Sequence, residues 1–133
     1  MLTFAGDPDA VAEAAFHAIR LATALIDLRS HTGVHPRIGA TDVVPFVPIQ
    51  GATMEDCVQL SRRLGERVGA ELHIPVFLYE QAAGHPDRTR LEAIRQGGLS
   101  GLATRMAAGS NWRPDFGPAH LHETAGEIGR AHV

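Results

Sequence analysis

The sequence predicts an α+β domain in which a sheet carries helices packed on one face. Three observations point there. Two long stretches, Asp9 to about Arg29 and the run after Gly51, place apolar residues at helical spacing. Three short β-prone runs, Met1–Ala5, Thr41–Ile49 and Ile74–Tyr79, alternate with them. Glycine- and proline-rich segments separate these elements, and no repeat or linker interrupts the chain.

Met1–Ala5 (MLTFA) reads as a strand, and Gly6-Asp7-Pro8 as a turn into a helix, with Asp7 capping and Pro8 in the first helical position. Val11, Ala15, Ala18, Ala22, Leu25 and Ile26 form that helix's predicted buried face. Ser30–Ala40 is irregular, broken by Gly33, Pro36 and Gly39. Thr41–Ile49 contains Pro45 and Pro48, which restrict it to an edge, bulged or interrupted strand. Thr53 caps the second helix, with Glu55 and Asp56 in its first turn and Val58, Leu60, Leu64, Val68 and Leu72 on its apolar side. Ile74–Tyr79 is a buried strand, Gly84-His85-Pro86 a turn, and Arg88–Gln96 a short helix stopped by Gly97-Gly98. Leu99–Ala108 adds a helical turn or two, and residues 111–126 form a loop.

The 133 residues suit one domain, with 44% hydrophobic and 20% charged residues. A net charge of -3 argues against a nucleic-acid binder, which shows a basic stripe. One cysteine, Cys57, excludes an internal disulfide and suits a reducing compartment. No stretch approaches the length of a membrane span and no signal peptide is seen, so a cytoplasmic location without membrane association is expected. Eight histidines invite a metal reading. His31 and His35 are four apart, but Gly33 and Pro36 prevent the helix that would bring them to one face, so no metal is expected.

The run from His31 to Pro48 (HTGVHPRIGATDVVPFVP) resembles the signature loop of the formimidoyltransferases. Other landmarks fall in that family's order: Thr3–Pro8 at a strand-to-helix entry, Val76–Tyr79, Leu91–Gly97 with its Arg-x-Gly ending, and Trp112–Pro118 ahead of a folate-contacting loop. Together they cover about residues 3–126. The resemblance implies a ferredoxin-like α/β sandwich, the first of two related subdomains, present here as an incomplete subdomain that lacks its opening strands. It implies a glutamate formimidoyltransferase, which moves the formimino group from N-formimino-L-glutamate to N5 of tetrahydrofolate in histidine degradation. Tetrahydrofolate is the co-substrate, and the complete enzyme is expected to be a homodimer. The residue implied as catalytic acid/base is His35. The implied folate-contacting stretch is Gly117, Pro118, Ala119, His120, Leu121, His122, Glu123, Thr124, Ala125 and Gly126.

The chemistry suits these residues. The attacking N5 becomes cationic and must lose a proton, while the departing glutamate nitrogen must gain one. An imidazole titrating near neutrality serves both steps, and Pro36 keeps the backbone of His35 extended. Both substrates carry carboxylates, for which Arg37 is a candidate clamp; it reads alternatively as a surface ion-pair residue. Asp42 either orients His35 or Arg37 or caps a turn. His120 and His122 either line the folate site or stand in solvent. Trp112 and Phe116 are expected to pack the loop down rather than stack on pterin.

The alternative function is a catalytically inactive, stand-alone subdomain that binds folate or a partner. A metal-dependent hydrolase built on the histidines is a third. Past Gly126 the family continues with an alternating apolar strand, whereas Glu127–Val133 (EIGRAHV) matches one reading frame of a widely used sequencing adapter. These residues are read as a non-native tail that docks on nothing.

Overall fold

The computed structural model describes residues 1–32 and 37–130. Helix α1 spans Pro8–Leu25, with Asp7 at the N-cap and Pro8 at the first position as the sequence predicts, although the Asp7 side chain makes no capping bond. The buried face runs through Ala15, Phe16 and Ile19, while Leu25 is exposed. The helix is four residues shorter than predicted. Ile26 turns extended, and the Leu28 amide donates to the Thr124 carbonyl (2.8 Å) instead of continuing the helix. A single 3-10 turn, Leu28–Ser30, follows, with the Asp27 carboxylate accepting from the Arg29 amide.

Helix α2, Met54–Leu72, opens on a reciprocal capping box. The Thr53 hydroxyl accepts from the Asp56 amide, and the Asp56 carboxylate accepts from the Thr53 amide. Cys57, Val58, Leu60, Leu64 and Val68 are buried, and His73 ends the helix in a left-handed conformation. Arg67 of α2 lies 3.7 Å over the Phe16 ring of α1 and pairs with Glu13 and Glu71, a half-exposed clasp across the two helices.

Strand β1, Val76–Leu78, is fully buried. Its side chains alternate between two apolar clusters, as a period of two requires. Val76 and Leu78 join Phe16, Ile19, Leu64 and Val68 from α1 and α2. Phe77 joins Ile38, Ile94, Leu102 and Met106. The second group comes largely from α3, Leu91–Arg95, and α4, Gly98–Ala108. The helices therefore cover both faces of β1 rather than one. The continuous apolar run IPVFLY is the signal of a strand buried on both sides. Arg105 of α4 donates to the Ile94 and Gln96 carbonyls (2.7 and 2.6 Å), closing the end of α3, and stacks 4.4 Å over Trp112. Trp112 and Phe116 both pack against the clusters, as predicted.

The remaining differences concern strands. Met1–Ala5 is not a strand, and Met1, Leu2 and Phe4 are exposed; among the described residues no ladder neighbours them. Thr41–Ile49 forms only isolated bridge positions, the outcome Pro45 and Pro48 dictate. The described sheet has two parallel strands, β1 and β2 (Ile128–Arg130), with Val76 opposite Ile128 and Leu78 opposite Arg130. The expectation that residues 127–133 dock on nothing therefore fails for 127–130, since Glu127 is also buried and its amide donates to the Ile38 carbonyl. The buried backbone of β1 is satisfied by residues 115–116, where the Val76 amide donates to the Phe116 carbonyl and the Asp115 amide to the Val76 carbonyl, and by its pairing with β2. This small, helix-rich α+β domain with little strand holds no described helix long and apolar enough to cross a membrane.

Candidate functional site

The loop from Gly117 to Gly126 is fixed at both ends by close backbone approaches. At its start, Phe116 and Gly117 lie against α2, where a Cβ on Gly69 would stand 2.8 Å from Gly117 Cα. Just before it, Asp115 accepts a bidentate pair from the buried Arg88 (2.7 and 3.2 Å) and the Leu78 amide (2.8 Å), locking the loop's entry to β1. At its end, Gly126 adopts φ +68° and pairs with Gly39 in an antiparallel bridge. The Ala40 amide donates to the Ala125 carbonyl and the Glu127 amide to the Ile38 carbonyl, each at 2.9 Å. A side chain on Gly126 would run into the Ile38 carbonyl.

Inside the loop, His122 and Gly126 exchange both backbone hydrogen bonds (2.9 and 3.1 Å), closing a small turn. Nδ1 of His122 accepts from the Thr124 and Ala125 amides (3.3 and 3.1 Å). Leu121, His122, Glu123, Thr124 and Gly126 line a cavity of about 240 Å³ with Leu28, Arg29 and Leu99. Ala125 is buried beneath it, Pro118 is half-buried, and Ala119 and His120 are exposed. Arg29 crosses to Glu123 (3.0 Å) while also holding Asp27.

Arg37 and Asp42 line a second, wider cleft of about 910 Å³ with Glu92, Arg95, Gln96, Gly97 and Gly98. The Asp42 carboxylate accepts from the Ile38 amide (3.1 Å) and pairs with Arg95. Its described partners are thus a backbone turn and a helix arginine, nearer the turn-capping reading than a direct hold on Arg37. Arg95 is the residue that sequence reasoning missed. Its signal in the sequence is the Arg-x-Gly ending of the α3 segment.

His35 lies outside the described residues, with Gly33, Val34 and Pro36. The described chain on both sides of it is tied to the same loop. Leu28 and Arg29 reach Thr124 and Glu123 before it, and Ile38–Ala40 reach Ala125–Glu127 after it. The 38–40 and 125–127 segments, which lie next to the linings of both cavities, are paired through their backbones.

Two carboxyl and phenol groups near this junction are electrostatically unusual. Glu127 is fully buried, neither carboxylate oxygen has a partner among the described residues, and burial, reinforced by Asp42 and opposed by Arg95, raises its pKa well above the ordinary carboxylate value. Burial pushes the Tyr79 phenol up to about 12.

Comparison with known proteins shows the family to which the chain belongs. Residues 1–130 match the family model described as the formiminotransferase domain, N-terminal subdomain. The chain is 43% identical over 126 residues to a glutamate formimidoyltransferase of Streptococcus pyogenes, covering 95% of this chain and 42% of that one. It is 46% identical over 129 residues to a protein of the same name from Thermoplasma acidophilum, covering 96% and 43%. It is 47% identical over 117 residues to a formimidoyltransferase-cyclodeaminase of Mus musculus, covering 88% and 21%. The chain therefore spans less than half the length of these relatives. With its signature run, its glycine-bounded loop and a match over nearly its whole length, the chain belongs to the formiminotransferase N-terminal subdomain family.

Proposed function

We propose that this chain supplies the acid/base and folate-binding part of a glutamate formimidoyltransferase, which transfers the formimino group from N-formimino-L-glutamate to N5 of tetrahydrofolate. The observation that carries the reading is the bracketing of His35. Both flanks of its loop are hydrogen-bonded to residues 123–127, the end of the folate-contacting stretch. Two residues, Pro36 and Arg37, separate His35 from Ile38, and those three steps along the chain reach at most about 11 Å. In this reading, Gly117–Gly126 cradle the pterin, with Leu121–Thr124 and Gly126 on the cavity wall and Ala125 fixing the loop from below.

N5 of tetrahydrofolate attacks the amidine carbon. His35 takes the proton from N5 in the tetrahedral intermediate and returns it to the departing glutamate nitrogen, so that neutral amine and not an amide anion leaves. Arg37 clamps a substrate carboxylate in the wider cleft. Asp42 acts by fixing the turn at Ile38, with Arg95 sharing the cleft. The ferredoxin-like sandwich, the homodimer and the cytoplasmic setting belong to the same proposal for the complete enzyme.

The test is formiminoglutamate-dependent formation of 5-formiminotetrahydrofolate, measured in a complete enzyme containing this segment. His35→Ala is expected to lower kcat by about 100-fold or more. An undiminished rate removes His35 from the mechanism.

A further inference from the structure

The ring of His122 accepts two backbone amides at one nitrogen. Thr124 N–H and Ala125 N–H both lie within hydrogen-bonding distance of Nδ1, at 3.3 and 3.1 Å. A backbone amide can only donate, so Nδ1 must present its lone pair, and the neutral ring must carry its proton on Nε2. The same residue closes the turn through its backbone, exchanging two hydrogen bonds with Gly126.

We propose that His122 is the positioning residue of the folate cradle, working only as the neutral Nε2–H tautomer. In that form Nδ1 takes up the Thr124 and Ala125 amides, which are then not offered to a ligand. His122 replaces them with one ring N–H on a residue that lines the 240 Å³ cavity. The ligand group matched to this wall is a hydrogen-bond acceptor, such as a carbonyl or ring nitrogen of a flat heterocycle. The inference deepens the folate reading and rests on it for the ligand, but the tautomer stands on the geometry alone.

A second proton on the ring removes the Nδ1 lone pair and places N–H against two N–H groups. The turn at 122–126 then opens. Several charged and titratable groups surround this turn. Glu123 and His120 lie on the same segment, and Arg29 with its partner Asp27 comes from the 3-10 turn after α1. Glu127 follows Gly126, and Asp42 and Arg95 act on it from the wider cleft. Leu99 supplies the apolar side from α4.

The experiment is ring-nitrogen and amide NMR on the 133-residue chain, with tetrahydrofolate as the probe. At pH 8 the His122 ring is expected to show a protonated Nε2 and a bare Nδ1. The Thr124 and Ala125 amides are expected to be protected from exchange, and to lose protection as the ring gains its second proton. His122→Asn keeps an acceptor near the place of Nδ1 and is expected to hold that protection at every pH. His122→Ala is expected to lose it and to weaken tetrahydrofolate binding about tenfold. A ring protonated on Nδ1 at pH 8 overturns the proposal, as does equal amide exchange in the wild type and His122→Ala. Absence of any tetrahydrofolate-induced shift in the wild type, with the tautomer and protection as expected, counts against the folate reading and not against the positioning role.

Discussion

Replacing Gly126 with alanine tests the junction between the signature loop and the cradle. Gly126 sits at φ +68°, a region that costs a non-glycine residue about 1–2 kcal/mol. The added methyl would also run into the Ile38 carbonyl, which itself accepts from the Glu127 amide. Relieving that overlap moves the 125–127 segment away from 38–40. The two 2.9 Å hydrogen bonds that join them are then lost, each contributing roughly 1 kcal/mol. The sum is about 3–4 kcal/mol, a large part of the roughly 5–15 kcal/mol that holds a domain folded. Urea denaturation of the wild type and Gly126→Ala, at constant m-value, is the assay. A loss below about 0.5 kcal/mol would refute the claim that this bridge needs a glycine.

Two further substitutions probe buried charge. Glu127→Ala removes a fully buried carboxylate without partners and is expected to stabilise the chain at pH 7 by about 1–3 kcal/mol. The Glu127 pKa is raised in the folded state, so the unfolded chain releases its proton first. The wild type should lose stability as pH climbs above the ordinary carboxylate range, and the advantage of Glu127→Ala should shrink toward pH 4. Parallel denaturation curves at pH 4 and pH 7 check the sign. Arg88→Met leaves the partly buried Asp115 on the Leu78 amide without its guanidinium partner. It is expected to cost about 3–5 kcal/mol, and the double variant with Asp115→Asn should cost less than the sum of the two single changes.

The long helix α2 was legible in the sequence because its cap, period and length all agree, and the capping box is present as read. The short strand at Val76–Leu78 was legible from its apolar run. Its two-sided burial, which puts helices on both faces, is carried by the same unbroken apolar run but is not separable there from burial on one face. The end of α1 was misjudged because helical composition continues through Arg29, whereas the Leu28 amide is claimed by Thr124, a residue 96 positions away in sequence. Local propensity cannot anticipate such a competitor. Met1–Ala5 has strand composition but no described neighbour to pair with, and a strand exists only through its partner.

At the site, the glycine-bounded loop was recognised as a unit, and its glycines have direct steric causes at Gly117 and Gly126. The individual side chains were less legible. Arg95 reaches Asp42 only because α3 folds back over the 38–42 turn. The residue pattern leaves His122 open between site wall and solvent, and its engagement with two amides is a property of the turn.

The proposed function requires the His35 loop and residues 117–126 to form one tetrahydrofolate site. Titrating an isotope-labelled chain with tetrahydrofolate while following the His35 ring and the amides of Leu121–Gly126 tests it most directly. The expected result is that both sets shift together along one binding curve. Shifts in the 121–126 amides with an unmoved His35 ring, or the reverse, would contradict it.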